Sequence, residues 1–299
     1  MADGAAIVPF KSGDLIKDRY TLLKQIGAGT YGAIFAALYR GNGSIPRPVA
    51  IKFEKEMPKF SLQNNEVAVM KAMAGSRHFA KFYQCGTHDG YKFVAMQLLG
   101  PSIIKLVNRK KPYQLTLLQL LKFCVQAIQT LQELHRAGFV HRDVKPDNFV
   151  IGNTKDTAGT IFLIDFGLCK RMPIVGGKIV KPTTQGKLRG TLRYASPNSH
   201  KKLELGRHDD LISLLYMVVE YYTGTLPWND ATDKDQIEML KLENQGGLLL
   251  HYMPEEFQEF EDHIFSLDYV DEPDYAHLVS LIRGELIIQQ QQPNIKQGI

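Results

Sequence analysis

The chain has few cysteines and no long hydrophobic run. Its 299 residues include three cysteines, Cys85, Cys124 and Cys169, and none of them forms the CxxC spacing of many metal and redox sites. We therefore expect reduced thiols and an intracellular protein, in the cytoplasm, the nucleus or both. No stretch approaches eighteen uninterrupted apolar residues, and residues 1–12 lack a basic stretch followed by an apolar run. We accordingly expect neither a membrane span nor a secretion signal.

The excess of one sign of charge over the other is also small. Lys and Arg number 36 and Asp and Glu number 31, so the formal net charge is only +5. No arginine-rich tract of the kind that binds nucleic acid is present. We expect protein partners, no nucleic-acid or membrane partner, and a monomer. If the basic residues cluster, they would favour acidic partners.

The hydrophobic pattern divides the chain into a strand-rich part and a helix-rich part. Short segments rich in β-branched and aromatic residues predict strands at 20–26, 34–39, 49–53, 80–86 and 92–98. One helix is predicted among them at 62–74, with Val67, Met70 and Met73 on one face. Further helices are predicted at 117–136, 207–222, 234–244, 255–267 and 274–287.

This order predicts an α+β protein with two lobes, a small antiparallel β lobe with one helix and a larger, mainly α-helical lobe. The expected divisions are an N-terminal extension at 1–19, the small lobe at 20–98, the large lobe at 99–288 and a polar tail at 289–299. The helix at 117–136 has too many apolar positions for a surface helix, so we expect it to be buried. The glutamine run at 289–292 is expected to fray.

A glycine-rich segment, Gly27-Ala28-Gly29-Thr30-Tyr31-Gly32, lies between two predicted strands. Glycines let the backbone approach phosphates closely, although many matches to GxGxxG are ordinary turns. A dinucleotide-binding fold needs this motif to open a helix, whereas Ala33-Ile34-Phe35 continues as a strand. The pattern therefore argues against a nucleotide-dependent oxidoreductase.

Val49-Ala50-Ile51-Lys52 places one lysine in an otherwise apolar strand. Such a lysine often extends from a strand edge to water. Alternatively, it binds the α- and β-phosphates of a nucleotide when a carboxylate holds it in place. Glu66, on the following predicted helix, is the candidate carboxylate. Its presence favours the phosphate-binding interpretation.

His141-Arg142-Asp143-Val144-Lys145-Pro146-Asp147-Asn148 concentrates four polar functions in one short loop, where Pro146 prevents a continuing helix. Asp143 could accept the proton of an attacking hydroxyl, Lys145 could neutralise a transferring phosphoryl group, and Asn148 could bind a metal. A solvated surface loop is the competing interpretation.

Leu163-Ile164-Asp165-Phe166-Gly167 ends an apolar segment. Asp165 would bind a Mg²⁺ ion that bridges the β- and γ-phosphates of ATP, and Phe166 would pack beneath the helix carrying Glu66. These four motifs and Glu66, in this order, indicate a protein kinase, with ATP and Mg²⁺ as cofactors and proteins as substrates.

The second half of the chain resembles the casein kinase 1 group of protein kinases. Most kinases close the activation segment with Ala-Pro-Glu, whereas this chain has Ser196-Pro197-Asn198 after Gly190-Thr191-Leu192-Arg193-Tyr194-Ala195. Leu98-Leu99-Gly100-Pro101-Ser102 also resembles that group. The segments most similar to its tau-tubulin kinase branch are Gly206-Arg207-His208-Asp209-Asp210-Leu211, Leu226-Pro227-Trp228, Ser266-Leu267-Asp268-Tyr269 and Pro273-Asp274-Tyr275. The likeness covers residues 20–287.

The resemblance implies serine or threonine specificity and assigns further roles. The side chains that would enclose the adenine are Ile26, Ile34, Ala50, Val150 and Ile164. Met96 would be the gatekeeper, and Gln97 and Leu99 would offer backbone groups to the purine. Asp210 would hold the catalytic loop by accepting backbone N–H bonds, or would act through the helix dipole, and both could hold.

Two positions depart from the usual kinase pattern. Asn198 replaces a glutamate, so the ion pair that this glutamate forms with a later arginine should be absent, and Arg283 should be a surface residue. Leu215 stands where glycine is common, which we interpret as a packing variation.

The resemblance also implies a basic pocket that recognises acidic or phosphorylated groups near the acceptor. Arg193 matches one arm of this pocket, but Thr232 replaces the lysine of the second arm. Lys187 and Arg189 would supply charge from the other side. We therefore expect a weakened preference for such substrates. Alternatively, Arg193 only orders the activation segment.

The group is active without activation-loop phosphorylation, so Lys52 and Glu66 should pair in the unmodified protein, although Thr183 and Thr184 offer hydroxyls. A pseudokinase that acts as a nucleotide-binding scaffold is the alternative function. Its usual mark is the loss of a catalytic residue, and none is lost here.

Overall fold

The computed structural model describes residues 8–29, 32–41, 45–55, 62–107, 114–182 and 186–291. The chain forms two compact units, the first comprising Met1–Gly100 with Ile151–Gly167 and the second comprising Pro101–Val150 with Leu168–Ile299. The segment after the catalytic-loop motif thus belongs to the first unit. The lobe boundaries expected from the sequence stay a prediction.

Strands dominate the first hundred residues and helices the remainder, as the α+β prediction requires. The strands are β1 (Leu15–Ile16), β2 (Tyr20–Gly29), β3 (Gly32–Tyr39), β4 (Arg47–Lys55), β5 (Phe82–His88), β6 (Tyr91–Gln97), β7 (Phe139–Val140), β8 (Phe149–Ile151), β9 (Ile161–Leu163), β10 (Lys170–Arg171), β11 (Ile174–Val175) and β12 (Lys178–Ile179). The α-helices are α1 (Leu62–Ala72), α2 (Ile103–Val107), α3 (Leu117–Arg136), α4 (Pro197–His200), α5 (Arg207–Thr223), α6 (Lys234–Glu243), α7 (Glu256–Phe265) and α8 (Tyr275–Gln291). Short 3₁₀ turns occur at Pro146–Asn148, Lys155–Thr157, Phe166–Leu168 and Leu248–Leu250. Within the described ranges, every helix is too short or too polar to cross a membrane.

The first unit is built on a six-stranded antiparallel sheet with the order β1-β2-β3-β4-β6-β5. Because side chains alternate along a strand, each of its central strands has two faces. One face forms the hydrophobic core with Ala33, Phe35, Ala37, Val49, Ile51, Phe53, Phe93 and Ala95. The register pairs Ile34 with Lys52 and Ala50 with Met96, so these four residues share the opposite face.

The expected N-terminal extension takes part in this unit. β1 pairs with β2, and Val8 is buried in the same core. The ring of Phe10 lies 4.4 Å from that of Phe53, centroid to centroid. The segment therefore covers the core face of the sheet and adds apolar burial to it.

α1 differs from the sequence prediction in the face that it buries. Val67 was expected on the inner face but is only half-buried, whereas Glu66, Val69 and Met70 are buried together with Met73. The inner face thus has the spacing i, i+3, i+4 and i+7. A carboxylate is tolerated there because Lys52 neutralises it.

The second unit is organised around α3, which packs against α5 and α8. Thr116 caps its N-terminus, and the expected burial of its apolar face is confirmed. α5 is buried along most of its length and ends at Gly224, whose φ of 82° is in the left-handed region. α8 continues to Gln291, and the expected fraying of the glutamine run stays a prediction.

Gly32 has a packing requirement that Gly27 lacks. A Cβ on Gly32 would lie 1.8 Å from the carbonyl oxygen of Phe53, whereas a Cβ on Gly27 would lie at an ordinary 3.5 Å from Ile34. We predict that Gly32→Ala lowers the free energy of unfolding by about 1–3 kcal/mol, because the β3–β4 pairing must shift. Gly27→Ala is the matched control and should change it by less. Urea denaturation measures both, and equal stabilities would contradict the prediction.

Candidate active site

Lys52 lies between two carboxylates in the first unit. Its Nζ is 2.7 Å from Oε2 of Glu66 and 3.2 Å from Oδ1 of Asp165. The expected Lys52–Glu66 pair is therefore present. Burial by itself would lower the pKa of Lys52, but the charges of Glu66 and Asp165 outweigh it and raise that pKa above its ordinary value. Lys52 is thus a fixed cation, which a phosphate could approach.

The segment that carries Asp165 is attached to the residues that follow α1. The N–H of Leu163 donates to the carbonyl of His78, and the ring of Phe166 stacks on that of Phe79 at 5.6 Å. Asp165 itself has a φ of +66°, a conformation that is uncommon for a residue with a side chain. This strained turn directs its carboxylate to Lys52, while 47% of the side chain stays exposed.

The expected adenine-binding residues of the first unit differ in exposure. Ala50 is buried and Ile34, Met96, Leu99 and Ile164 are half-buried, whereas Ile26 is 40% exposed. The N–H of Gln97 donates to the carbonyl of Lys81 at 2.8 Å. Gln97 could therefore offer only its carbonyl to a purine.

The glycine-rich segment forms the β2–β3 hairpin, in which Gly27 pairs with Ile34 and Gly29 with Gly32. Thr30 and Tyr31 lie outside the described residues. The two strands extend further than the sequence predicted and include the glycines of the motif, which joins them and does not open a helix.

In the second unit, Asp210 holds the catalytic loop. Its carboxylate accepts the backbone N–H groups of His141 at 2.6 Å and Arg142 at 2.8 Å, and Nε2–H of His135 at 2.9 Å. Burial would raise the pKa of Asp210, but the hydrogen bonds and charge of the two histidines hold it below its ordinary value. The expected brace of the loop is therefore present.

Asp143 is oriented by contacts to both of its carboxylate oxygens. Oδ2 accepts from Nζ of Lys145 at 2.6 Å, and Oδ1 accepts from the N–H and the hydroxyl of Thr191 at 2.8 and 2.9 Å. Gly190 allows this approach because its φ is +81° and a Cβ there would lie 2.7 Å from the carbonyl of Arg142. The carboxylate is thus buried and held in one orientation.

The two expected metal ligands offer oxygen atoms that suit Mg²⁺. Nδ2 of Asn148 donates to the carbonyl of Asp143 at 2.9 Å, which leaves the amide oxygen for a metal. The half-exposed carboxylate of Asp165 contacts Lys52 through one oxygen. In the described part of the chain, no group of three or more His, Cys, Asp or Glu side chains is arranged to hold a metal ion. Each residue, considered within its own unit, therefore offers a single side-chain oxygen donor group of the kind that Mg²⁺ accepts alongside phosphates.

Sequence reasoning missed Glu204. Its carboxylate lies 3.3 Å from Nη1 of Arg142 and 2.7 Å from Nζ of Lys170, with only 7% of its side chain exposed. Burial and the neighbouring charge of Arg189 lower the pKa of Arg142, and Glu204 opposes them. Glu204 therefore neutralises the arginine that precedes the proposed catalytic base.

Thr183 and Thr184, the two hydroxyls considered as phosphorylation sites, lie outside the described residues.

The residues expected to form the anion pocket have different surroundings. The guanidinium of Arg193 contacts Glu220, which also accepts the hydroxyl of Tyr194. Lys187 is exposed and Arg189 is half-buried, with its N–H donating to the hydroxyl of Ser199. Arg193 therefore already has a carboxylate partner.

The two departures from the kinase pattern have local explanations. Nδ2 of Asn198 contacts Oδ1 of Asp209 at 3.0 Å and Nε2 of His208 at 3.1 Å. The amide is therefore held by two residues at the start of α5. Arg283 is exposed, as expected. Leu215 is 1% exposed inside α5, which agrees with a packing variation.

Val150, the adenine-binding candidate of the second unit, is buried beside Ser102.

Comparison with known proteins agrees with these arrangements. The protein kinase domain family matches residues 20–280. A probable serine/threonine-protein kinase of Dictyostelium discoideum is 39% identical over 275 residues, which cover 92% of this chain and 55% of that protein. This chain thus spans about half the length of that relative. The two-lobed α+β kinase fold expected from the sequence is confirmed. The chain belongs to the protein kinase family.

Proposed function

We propose that this chain is an active kinase that transfers the γ-phosphoryl group of ATP to a serine or threonine hydroxyl of a protein. The orientation of Asp143 is the observation that carries the proposal. Lys145 and Thr191 together hold both of its oxygens, which is the arrangement that a catalytic base requires.

Each unit contributes separate groups to this reaction. In the first unit, Lys52 would bind the α- and β-phosphates while Glu66 and Asp165 hold it in place. When bound, Mg²⁺ supplies positive charge that neutralises the phosphates. Asp165 and, in the second unit, Asn148 are the proposed ligands.

The chemical step follows the phosphoryl-transfer pattern of the family. The acceptor hydroxyl gives its proton to Asp143 as its oxygen bonds to the γ-phosphorus. The bond from that phosphorus to the β,γ-bridging oxygen breaks, and ADP leaves with the electron pair. Lys145 contacts Asp143 and would neutralise charge on the transferring group.

We further propose membership of the casein kinase 1 group, closest to its tau-tubulin kinase branch. The motifs Ser196-Pro197-Asn198 and Gly206-Arg207-His208-Asp209-Asp210-Leu211 support this assignment. Asp209 also supports it, because it accepts from both Ser196 and Asn198 and so links the two motifs. A monomer is proposed as well, and so is a location in the cytoplasm or nucleus, which the three free thiols support.

We propose a weak preference for acidic or pre-phosphorylated protein substrates. Glu220 already neutralises Arg193, and Thr232 stands where the related kinases have a lysine. Lys187 and Arg189 would carry the remaining attraction. An exposed ion pair contributes only about 0.2–1 kcal/mol, so the preference should be modest.

Asp143→Asn should lower kcat by a factor on the order of 10² or more while ATP still binds, because the base is lost and the nucleotide contacts are not. Peptide phosphorylation and nucleotide binding measure the two effects. Asp147→Asn, at an exposed position of the same loop, is the control and should keep kcat. Near-normal turnover by Asp143→Asn would contradict its role. A wild-type protein that binds ATP without transferring phosphate would instead favour the scaffold alternative.

Glu204 should make turnover independent of activation-loop phosphorylation. Its carboxylate already forms the ion pair with Arg142 that the phosphate of a modified activation loop would otherwise form. We expect phosphatase-treated protein and the Thr183→Ala/Thr184→Ala variant to keep their turnover. Glu204→Gln should reduce turnover roughly 10- to 100-fold through misplacement of the loop. The exposed Glu243→Gln is the control. Activity that appears only after phosphorylation would contradict this expectation.

A peptide with a phosphoserine upstream of the acceptor should be preferred over its unphosphorylated twin by about 1.5- to 5-fold in kcat/KM. Thr232→Lys should increase this ratio by restoring a second cation, and Arg193→Ala should lower it without abolishing it, because Lys187 and Arg189 remain. If Arg193→Ala lowers kcat/KM equally for both peptides and the ratio is 1 throughout, Arg193 serves only to order the segment.

A further inference from the structure

Lys241 is a buried lysine with no assigned role. It lies on α6 with 1% of its surface exposed. Its Nζ donates to the backbone carbonyls of Leu192 at 2.6 Å and Ala195 at 2.7 Å, and lies 3.3 Å from Nε2 of His200. The four-residue spacing from buried Ile237 is the sequence signal that could have identified it.

The surroundings of Lys241 match an ammonium group. Burial lowers the pKa of His200 to about 4, and the charge of Lys241 adds to this effect. The imidazole is therefore neutral near pH 7 and can accept a hydrogen bond. Three acceptors thus face the three ammonium protons. The rings of Tyr216 and Trp228 each lie 5.3 Å from Nζ and offer their π faces to the charge.

Each residue of the segment Leu192–Ala195, which Lys241 contacts, is bonded to a side chain from elsewhere in the second unit. The indole N–H of Trp228 donates to the carbonyl of Arg193 at 2.8 Å, between the two carbonyls that Lys241 binds. The side chains of Arg193 and Tyr194 both contact Glu220. The backbone of Leu192–Ala195 is therefore held by side chains from the helical part of the second unit.

The same segment begins beside the proposed base. Thr191 donates its N–H and its hydroxyl to Asp143, and Leu192 follows directly. The backbone of Leu192–Ala195 thus starts one residue from the group that contacts the proposed base. Burying an ammonium is costly unless its protons are bonded. An apolar side chain at this position would avoid that cost but could not hold the carbonyls.

We propose that Lys241 is a positioning residue that shapes Leu192–Ala195 as the surface receiving the protein substrate. The proposal rests on the kinase activity proposed above and deepens it. Because Lys241 contacts this segment and none of the proposed nucleotide-binding residues, it acts on the affinity for the protein substrate and leaves the KM for ATP unchanged.

Lys241→Met tests this role because methionine is of similar length and has no charge. We expect the KM for a peptide substrate to rise about tenfold and the KM for ATP to stay constant. Lys234→Met, an exposed lysine on the same helix, is the matched control and should keep both values. An unchanged peptide KM in folded Lys241→Met, or an equal rise in the KM values for peptide and ATP, would overturn the proposal. Failure of the wild type to transfer phosphate would instead refute the kinase activity.

A second measurement needs no turnover. Trp228 is the single tryptophan of the chain, so its emission reports on this site. Burial lowers the pKa of Lys241 to about 7, opposed by Glu238 on the same helix. We expect wild-type and Lys234→Met emission to change with a midpoint near that value. His200 titrates below this range, and burial raises the pKa of Tyr216 far above it. The change should vanish in Lys241→Met, and its persistence there would overturn the assignment of the charge.

Trp228→Phe provides a further variant if Lys241→Met fails to fold. It keeps an aromatic ring against Lys241, removes the bond to the carbonyl of Arg193 and reduces the volume of a buried side chain. The peptide KM should again rise while the ATP KM stays constant. An unchanged peptide KM in this variant would overturn the proposal.

Discussion

Asp210 lies in the interior of the second unit, where its carboxylate accepts two backbone N–H groups of the catalytic loop and the ring of His135. Without these acceptors, the two N–H groups would be buried and unsatisfied, which is costly. The other ring nitrogen of His135 lies within hydrogen-bond distance of the hydroxyl of Tyr275, at the start of α8. The loop that carries Asp143 is therefore fixed to α3, α5 and α8 by one buried carboxylate.

Buried charges recur throughout the proposed site, and each has a specific partner. Lys52 lies between two carboxylates, whereas Glu204 lies between two cations. Lys241 has two carbonyls and an imidazole as hydrogen-bond partners. Because the removal of one partner leaves an uncompensated buried charge, each arrangement has a narrow range of stable geometries. We infer that this charge compensation holds the catalytic loop and the activation segment in shape without an added phosphate.

Much of the fold and part of the site could be predicted from the sequence. The bounds of α3 agree at both ends, because its apolar period and its N-terminal Thr116 are local signals. The Lys52–Glu66 pair followed from a motif and the next helix. Prediction of the inner face of α1 failed at Val67, because a helical period alone does not reveal that a paired Glu66 can occupy a buried position.

The sequence by itself determined which chemical groups the chain carries and their order, since the kinase motifs are short and their residue types specify their chemistry. Only the tertiary structure decided which distant charge meets which motif. Glu204 contacts Arg142 from 62 residues away, and Lys241 reaches Leu192 across 49. Hydrophobic periodicity records burial within one element, whereas such pairings depend on how separate elements pack, and local spacing carries no record of that packing.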